Sequence, residues 1–336
     1  MILVTGGTGL VGAHLLYSLI NSGESVRAIH RKSSDLEAVK NVFSYYTHEP
    51  EIPFSKIEWM VADITDVPSL TPAFKDIDYV YHCAAYISFN PRHYPTLKKI
   101  NVEGTANIVN FSLSQGVKKL CYVSSIATIG KTANGDLITE ETEYNPEDNN
   151  SVYAITKYNA EMEVWRGSQE GLDAVIVHPG VILGEGIWSS ASGGILRTVY
   201  KGVKYYTTGG VGIVDVQDVA EVMISLLNSD IINKNYILVA ENISYKAFLT
   251  KLANNLNKKP PHKLIAKWKM IAFANIDWFI NKLFKTKRRL LKATVLTLYK
   301  TRAYDGSKIE RGIDFKYKNL EKTIERVSRN YLRDFN

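Results

Sequence analysis

Four glycines in the first twelve residues constrain this chain more than anything else in it. A short apolar run, Ile2–Thr5, leads into Thr5-Gly6-Gly7-Thr8-Gly9-Leu10-Val11-Gly12. Apolar residues then recur at 10, 11, 15, 16, 19 and 20, and Gly23 stops the pattern. The spacing predicts a strand, a tight turn and a helix over Leu10–Asn21. Such a turn needs glycine where φ is positive. Glycine also leaves the backbone open to a phosphate, which the free N–H groups and positive dipole end of the next helix attract. Set between a strand and a helix, Gly6-x-x-Gly9-x-x-Gly12 reads as a cradle for a dinucleotide pyrophosphate, completed by Thr8, Leu10 and Val11.

Strand and helix signals continue to alternate. Ser25–Ile29, Ile57–Val61, Tyr79–Cys83, Leu120–Ser124 and Ala174–Val177 read as strands, and 94–114 and Ser151–Gln169 as helices. That alternation implies an α/β fold, a doubly wound parallel sheet with helices on both faces. The 336 residues suffice for about two domains. After His178 the pattern breaks into a Gly- and Ser-rich stretch over 181–212, then resumes as a helix over Val214–Leu227 and a strand over Tyr236–Val239. The expected division is a dinucleotide-binding domain from 1–180 plus 213–240. A smaller, mostly helical substrate domain would come from 181–212 plus 241–336.

Composition excludes several classes. Apolar residues are 45% and charged residues 22%, as in globular chains. Two cysteines cannot build a disulfide framework or a cysteine zinc site, and the seven histidines lack ligand spacing, so no metal is expected. The net charge is +7, yet residues 258–292 alone hold eleven Lys/Arg against Asp277, which leaves −3 elsewhere. That distribution argues against a nucleic-acid partner. Residues 1–23 lack charge but carry five glycines, so they are neither leader nor span, and a cytoplasmic location is expected.

An acid after the second strand would bind an adenosine ribose and favour NAD. Here the run is Ala28-Ile29-His30-Arg31-Lys32-Ser33. Arg31, Lys32 and the Ser33 hydroxyl suit a 2′-phosphate instead, so NADP is expected, with NAD as the alternative. Tyr153-Ala154-Ile155-Thr156-Lys157 puts a phenol and an ammonium on one helix face. A neighbouring cation and an oxidised nicotinamide would favour the phenolate. Bringing the phenol from 10 to 7 takes roughly 4 kcal/mol. The fifth strand ends in Val123-Ser124-Ser125, at the sheet edge where such folds bind ligands. Together these residues point to a Tyr acid/base with a Ser hydroxyl beside it, serving a carbonyl/alcohol pair.

With these pieces the chain resembles an extended short-chain dehydrogenase/reductase, the NAD-dependent epimerase/dehydratase type of Rossmann enzyme. It is similar in motif to dihydroflavonol reductases and 3-beta-hydroxysteroid dehydrogenases. Further matching runs are Val61-Ala62-Asp63, His82-Cys83-Ala84-Ala85, Asn101-Val102-Glu103-Gly104-Thr105, His178-Pro179-Gly180 and Val214–Ala220. The resemblance implies that Asp63, with Ile64, meets the adenine, and that Cys83, Ala84, Ala85 and Val123 line the cofactor. Ser125 would be the catalytic hydroxyl and Tyr153 the acid/base. Lys157 would lower the phenol's pKa and hold the ribose. Pro179 and Val181 would meet the carboxamide, and Asn101 would support the site. It also implies a homodimer pairing the Asn101 and Tyr153 helices.

Ile126-Ala127 stand where sugar dehydratases of the family carry Asp-Glu, and Val26-Arg27-Ala28-Ile29-His30-Arg31 matches the reductase branch. The leading expectation is therefore an NADPH-dependent carbonyl reductase or alcohol dehydrogenase. A nucleotide-sugar epimerase with retained NAD and a regulatory dinucleotide-binding protein are the alternatives. Tyr86, Ser88 and Phe89 are candidates to touch a small-molecule substrate, and His82 reads as a satisfied core residue. In 264–284 Trp268, Ile271, Phe273, Trp278, Phe279, Leu283 and Phe284 mix with lysines, and the longest uncharged stretch is Met270–Ile276, too short to span a bilayer. The basic segment 258–292 fits three roles. It would be the lid of a large apolar-aromatic pocket, a weak contact with a membrane surface, or a binder of phosphate-bearing substrate.

Overall fold

The computed structural model describes residues 1–132, 135–189, 191–284 and 290–335. The basic residues Lys285, Lys287, Arg288 and Arg289 and the start of the 134–150 loop lie outside them. In chain order the strands are β1 (Ile2–Thr5), β2 (Val26–His30), β3 (Glu58–Val61), β4 (Tyr79–His82), β5 (Lys119–Val123) and β6 (Ala174–Pro179). Then follow β7 (Val181–Leu183), β8 (Tyr205–Tyr206), β9 (Gly210–Asp215), β10 (Lys234–Leu238), β11 (Glu241–Ser244) and β12 (Lys263–Leu264).

Seven strands form one sheet in the order β10-β6-β5-β4-β1-β2-β3, every pair parallel. The order turns between β1 and β4, so the crevice of this Rossmann sheet opens there, outside the carboxyl ends of the strands. The pleat sorts side chains to two faces. Val4, Tyr81, Cys121, Val175 and Val177 enter one core cluster, and Leu3, Val80, Leu120, Tyr122 and Ile176 the other. The first face is covered by the helices Leu10–Asn21 and Val216–Leu227, the second by Gly104–Ser114 and Val152–Gln169. Both faces being buried explains why the inner strands β1 and β6 read as near-continuous apolar runs, whereas the edge strand β3 exposes Glu58 and Val61.

β11-β9-β7 form a smaller sheet, with β9 antiparallel to β11 and parallel to β7, and β12 pairs with β8. A separate core holds Leu183, Trp188, Leu196, Ile213, Phe248, Leu252, Ile324 and Val327. Ile309 and Phe315 come from the C-terminal hundred residues but pack into the first sheet's core.

Several expectations are corrected. The helix expected from Val214 starts at Val216, because β9 runs to Asp215, whose carboxylate caps the helix by accepting from Gln217 N at 2.9 Å. The 94–114 helix is interrupted by a π-helical turn over Lys98–Glu103. The stretch expected to be irregular holds a helix at Ala191–Tyr200.

The C-terminal helix Leu320–Phe335 closes the structure by ion pairing. Arg326 donates to Asp215 Oδ1 at 2.8 Å and to Glu185 Oε1 at 3.1 Å, while both carboxylates are almost wholly buried. Burial opposes the ionisation of Asp215, yet Arg326 holds it below the usual carboxylate range. Removing the guanidinium strands two buried charges. Arg326→Ala should therefore lower the unfolding free energy by about 3–5 kcal/mol, read from urea denaturation at pH 7. A loss below 1 kcal/mol would show that the carboxylates find other partners.

Candidate active site

The cradle is built as its physics demands. Gly6 has φ +70°, and a Cβ there would lie 2.6 Å from Ala84 N. A Cβ on Gly12 would lie 2.2 Å from Gly6 O. Only glycine fits either place. The helix Leu10–Asn21 starts at Gly9 with no side-chain cap, so its first-turn N–H groups face the cradle's open side. An uncapped helix end and a glycine-rich loop fit a dinucleotide phosphate. Thr5 Oγ1 ties β1 to β4 by accepting from Ala84 N at 3.2 Å and meeting His82 Nδ1 at 2.6 Å. Thr105 Oγ1 takes the other ring nitrogen of His82 at 2.9 Å. Burial pushes that imidazole down to about 3, so it is a neutral core residue.

The other candidates sit at or just past strand ends on the same edge. Arg31, Lys32 and Ser33 follow β2, exposed, and neither cation makes an ion pair among the described residues. Asp63 and Ile64 follow β3, where Asp63 Oδ1 accepts from Thr65 N and Oγ1, each at 2.8 Å. Cys83 and Ala84 are half-buried after β4, and Ala85 is exposed. Val123 ends β5 and Pro179 ends β6, with Val181 opening β7.

Asn101 sits in the π turn, a form common at functional sites. It is buried, accepts from Tyr86 N at 2.7 Å, and donates to Tyr86 O at 3.0 Å and Thr156 Oγ1 at 3.3 Å. It therefore clamps the loop after β4 to the helix that bears Tyr153.

That helix, Val152–Gln169, is capped by Ser151 Oγ accepting from Ala154 N at 3.1 Å. Tyr153 lies edge-on to Phe89, ring centroids 5.4 Å apart. Burial pushes its phenol up to about 12, and the Ser125 hydroxyl, hydrogen-bonded to it, pulls the other way. Lys157 takes no part in that shift. Its ammonium turns to Tyr122 Oη at 2.6 Å and the Val123 carbonyl at 2.7 Å. Burial pushes Lys157 down to about 7, with Glu161 and Cys83 opposing. The lysine is thus engaged by the end of β5, and burial dominates the shift of the phenol.

A buried network missing from the sequence reading supports Ser125. Glu161, one turn beyond Lys157, accepts from Ser124 Oγ at 2.6 Å, Thr128 Oγ1 at 2.9 Å and Trp165 Nε1 at 3.3 Å. His178 Nδ1 lies 3.1 Å from Thr128 Oγ1 and 3.3 Å from Ser125 O. With three side-chain donors the buried carboxylate is satisfied and fixes the loop that carries Ser125. The signal was available: Tyr153, Lys157 and Glu161 repeat every four residues on one helix.

Comparison with known proteins follows this geometry. The family model described as "NAD dependent epimerase/dehydratase family" matches residues 2–238. A Synechocystis sp. protein carried under the provisional name dihydroflavonol 4-reductase is 30% identical over 284 residues, 82% of this chain and 78% of that one. The crystal structure of gox2253 superposes with a TM-score of 0.82 at 27% identity, covering 99% of this chain and 98% of that one. A UDP-glucose 4-epimerase from Thermotoga maritima, solved with UDP-glucose, gives 0.76 at 19% identity, covering 100% and 99%, a likeness of fold alone.

The depressed Lys157 has a measurable sign. Folding disfavours its ammonium, so the stability the neutral amine restores is present above the ordinary 10.5 and lost as pH falls through about 7. Relative to Lys157→Met, the wild type should gain stability as pH rises from 7 to 10, read from urea midpoints. A pH-independent difference would contradict the buried-ammonium account.

Proposed function

The chain belongs to the NAD dependent epimerase/dehydratase family, and from that premise we propose that it is an NADP(H)-dependent reductase of a bulky, apolar ketone or aldehyde. The observation that carries this reading is the Tyr153 phenol set beside the Ser125 hydroxyl, with the Ser125 loop fixed by Glu161. A neutral phenol is what carbonyl reduction needs as its acid. Bound in the glycine cradle, a nicotinamide dinucleotide supplies the hydride. Tyr153 gives its proton to the carbonyl oxygen, and Ser125 orients that oxygen. In the alcohol-oxidising direction the Tyr153 phenolate takes the proton back. Lys157 anchors the end of β5 through Val123 O and so keeps the Ser124-Ser125 segment against the helix. Gly6, Gly9, Gly12 and the open helix end would hold the pyrophosphate, and Asp63 the adenine side.

Two features narrow the partners. Arg31 and Lys32, exposed just after β2 and without an ion pair among the described residues, suit a 2′-phosphate. Beside the phenol the loop after β4 exposes Ile87 and Phe89, an apolar flank for the substrate. A bulky aromatic ketone also agrees with the name of the Synechocystis relative.

Tyr153→Phe should keep cofactor affinity, measured by fluorescence titration, while turnover of a carbonyl panel falls at least about 10²-fold. Persisting turnover would remove Tyr153 from its role. Arg31→Ser should weaken NADPH binding about tenfold, roughly 1.4 kcal/mol, and leave NADH unchanged. NAD released in stoichiometric amount from denatured protein would instead favour an epimerase that retains its cofactor.

A further inference from the structure

The helix Lys267–Phe284 carries its apolar stripe on the outside. Its 18 residues make a rod about 27 Å long. Toward the body it turns Ala274 and Asn281, 1% and 7% exposed, and the half-buried Asp277, which accepts from Leu290 N at 3.2 Å. On the other side Trp268, Ile276, Phe279 and Leu283 follow one another at helical spacing, 68%, 54%, 61% and 62% exposed. Phe273 and Ile280 widen the stripe. A contiguous apolar patch of this kind on a folded protein marks a contact surface. The lid expected from the sequence would need this face turned inward.

Charge selects the occupant. Lys267 and Lys269 are exposed at the start of the helix, Lys263 just before it in β12 and Lys282 at its end, while Asp277 is turned inward. The segment 258–292 holds eleven Lys/Arg and that one acid, a net +10. A second copy docked face to face would set +10 against +10. An apolar-aromatic face framed by cations is instead complementary to an anionic lipid surface. No described helix is long and apolar enough to cross a membrane, so the contact lies in the plane of the interface. Aromatic side chains enter the headgroup boundary, and the lysine stems extend to the phosphates.

We propose that this helix docks the protein reversibly on anionic bilayers. The inference is independent of the reductase reading and of its cofactor.

The test is flotation of the full-length protein with vesicles of phosphatidylcholine alone or with 30% phosphatidylglycerol. Binding is expected only to the anionic vesicles, at least tenfold weaker in 0.5 M than in 0.05 M NaCl, with a blue shift of tryptophan emission. Phe279→Glu, an exposed substitution, should abolish binding and leave cofactor affinity and thermal midpoint unchanged. Absence of binding to anionic vesicles overturns the proposal, as does equal binding by Phe279→Glu. A concentration-dependent dimer that Phe279→Glu dissolves, without vesicle binding, would also overturn it and assign the face to a second copy.

Discussion

The site depends on two backbones being able to touch. Where the strand order turns, Gly6 and Ala84 approach so closely that no side chain fits at Gly6. The Thr5 hydroxyl spans the same seam, joined to Ala84 N and to the His82 ring. Because every strand of the large sheet runs the same way, the seam also sets where the neighbouring strand ends fall. Ser125 and the half-buried Cys83 therefore reach one edge from separate parts of the chain. Widening the seam by a methyl group would disturb the cradle and the loop after β4 together.

Water exclusion then weighs on the charge state. It drives the Tyr153 phenol up and the Lys157 ammonium down, so both move toward neutrality. Four-residue spacing places the two on one helix face, but reach and partners decide what each touches. The flexible lysine finds a carbonyl and a phenol at the end of β5, and the rigid tyrosine ring stays beside Ser125. Glu161 brings the compensating negative charge, one turn along and held by three donors.

Much of this was legible because local rules agree with the fold. Strand ends fall within two residues of their expected places, since apolar runs bounded by glycine leave little freedom. The cradle was readable because only glycine satisfies it. What was not legible depends on distant partners. The π turn answers to Asn101 reaching the backbone of Tyr86. The Ala191–Tyr200 helix is masked by Gly193 and Gly194. Periodicity showed that 267–284 is amphipathic, but not which side meets the protein. Ile309 and Phe315 belong to a core more than two hundred residues upstream in part, which no local pattern records.

The pairing of Arg326 with Asp215 and Glu185 has a consequence for how the protein is made. The carboxylates precede their guanidinium by 111 and 141 residues. On a chain synthesised from its amino end, the large sheet has all its strands long before that partner exists. Asp334, which binds Trp188 Nε1 at 2.7 Å and Asn41 Nδ2 at 3.2 Å, arrives later still. The nascent molecule must carry these acids hydrated and its second core open until the helix Leu320–Phe335 has been made. Closure of the second core is thereby the last step that the order of synthesis allows, set by the arrival of Arg326 and Asp334.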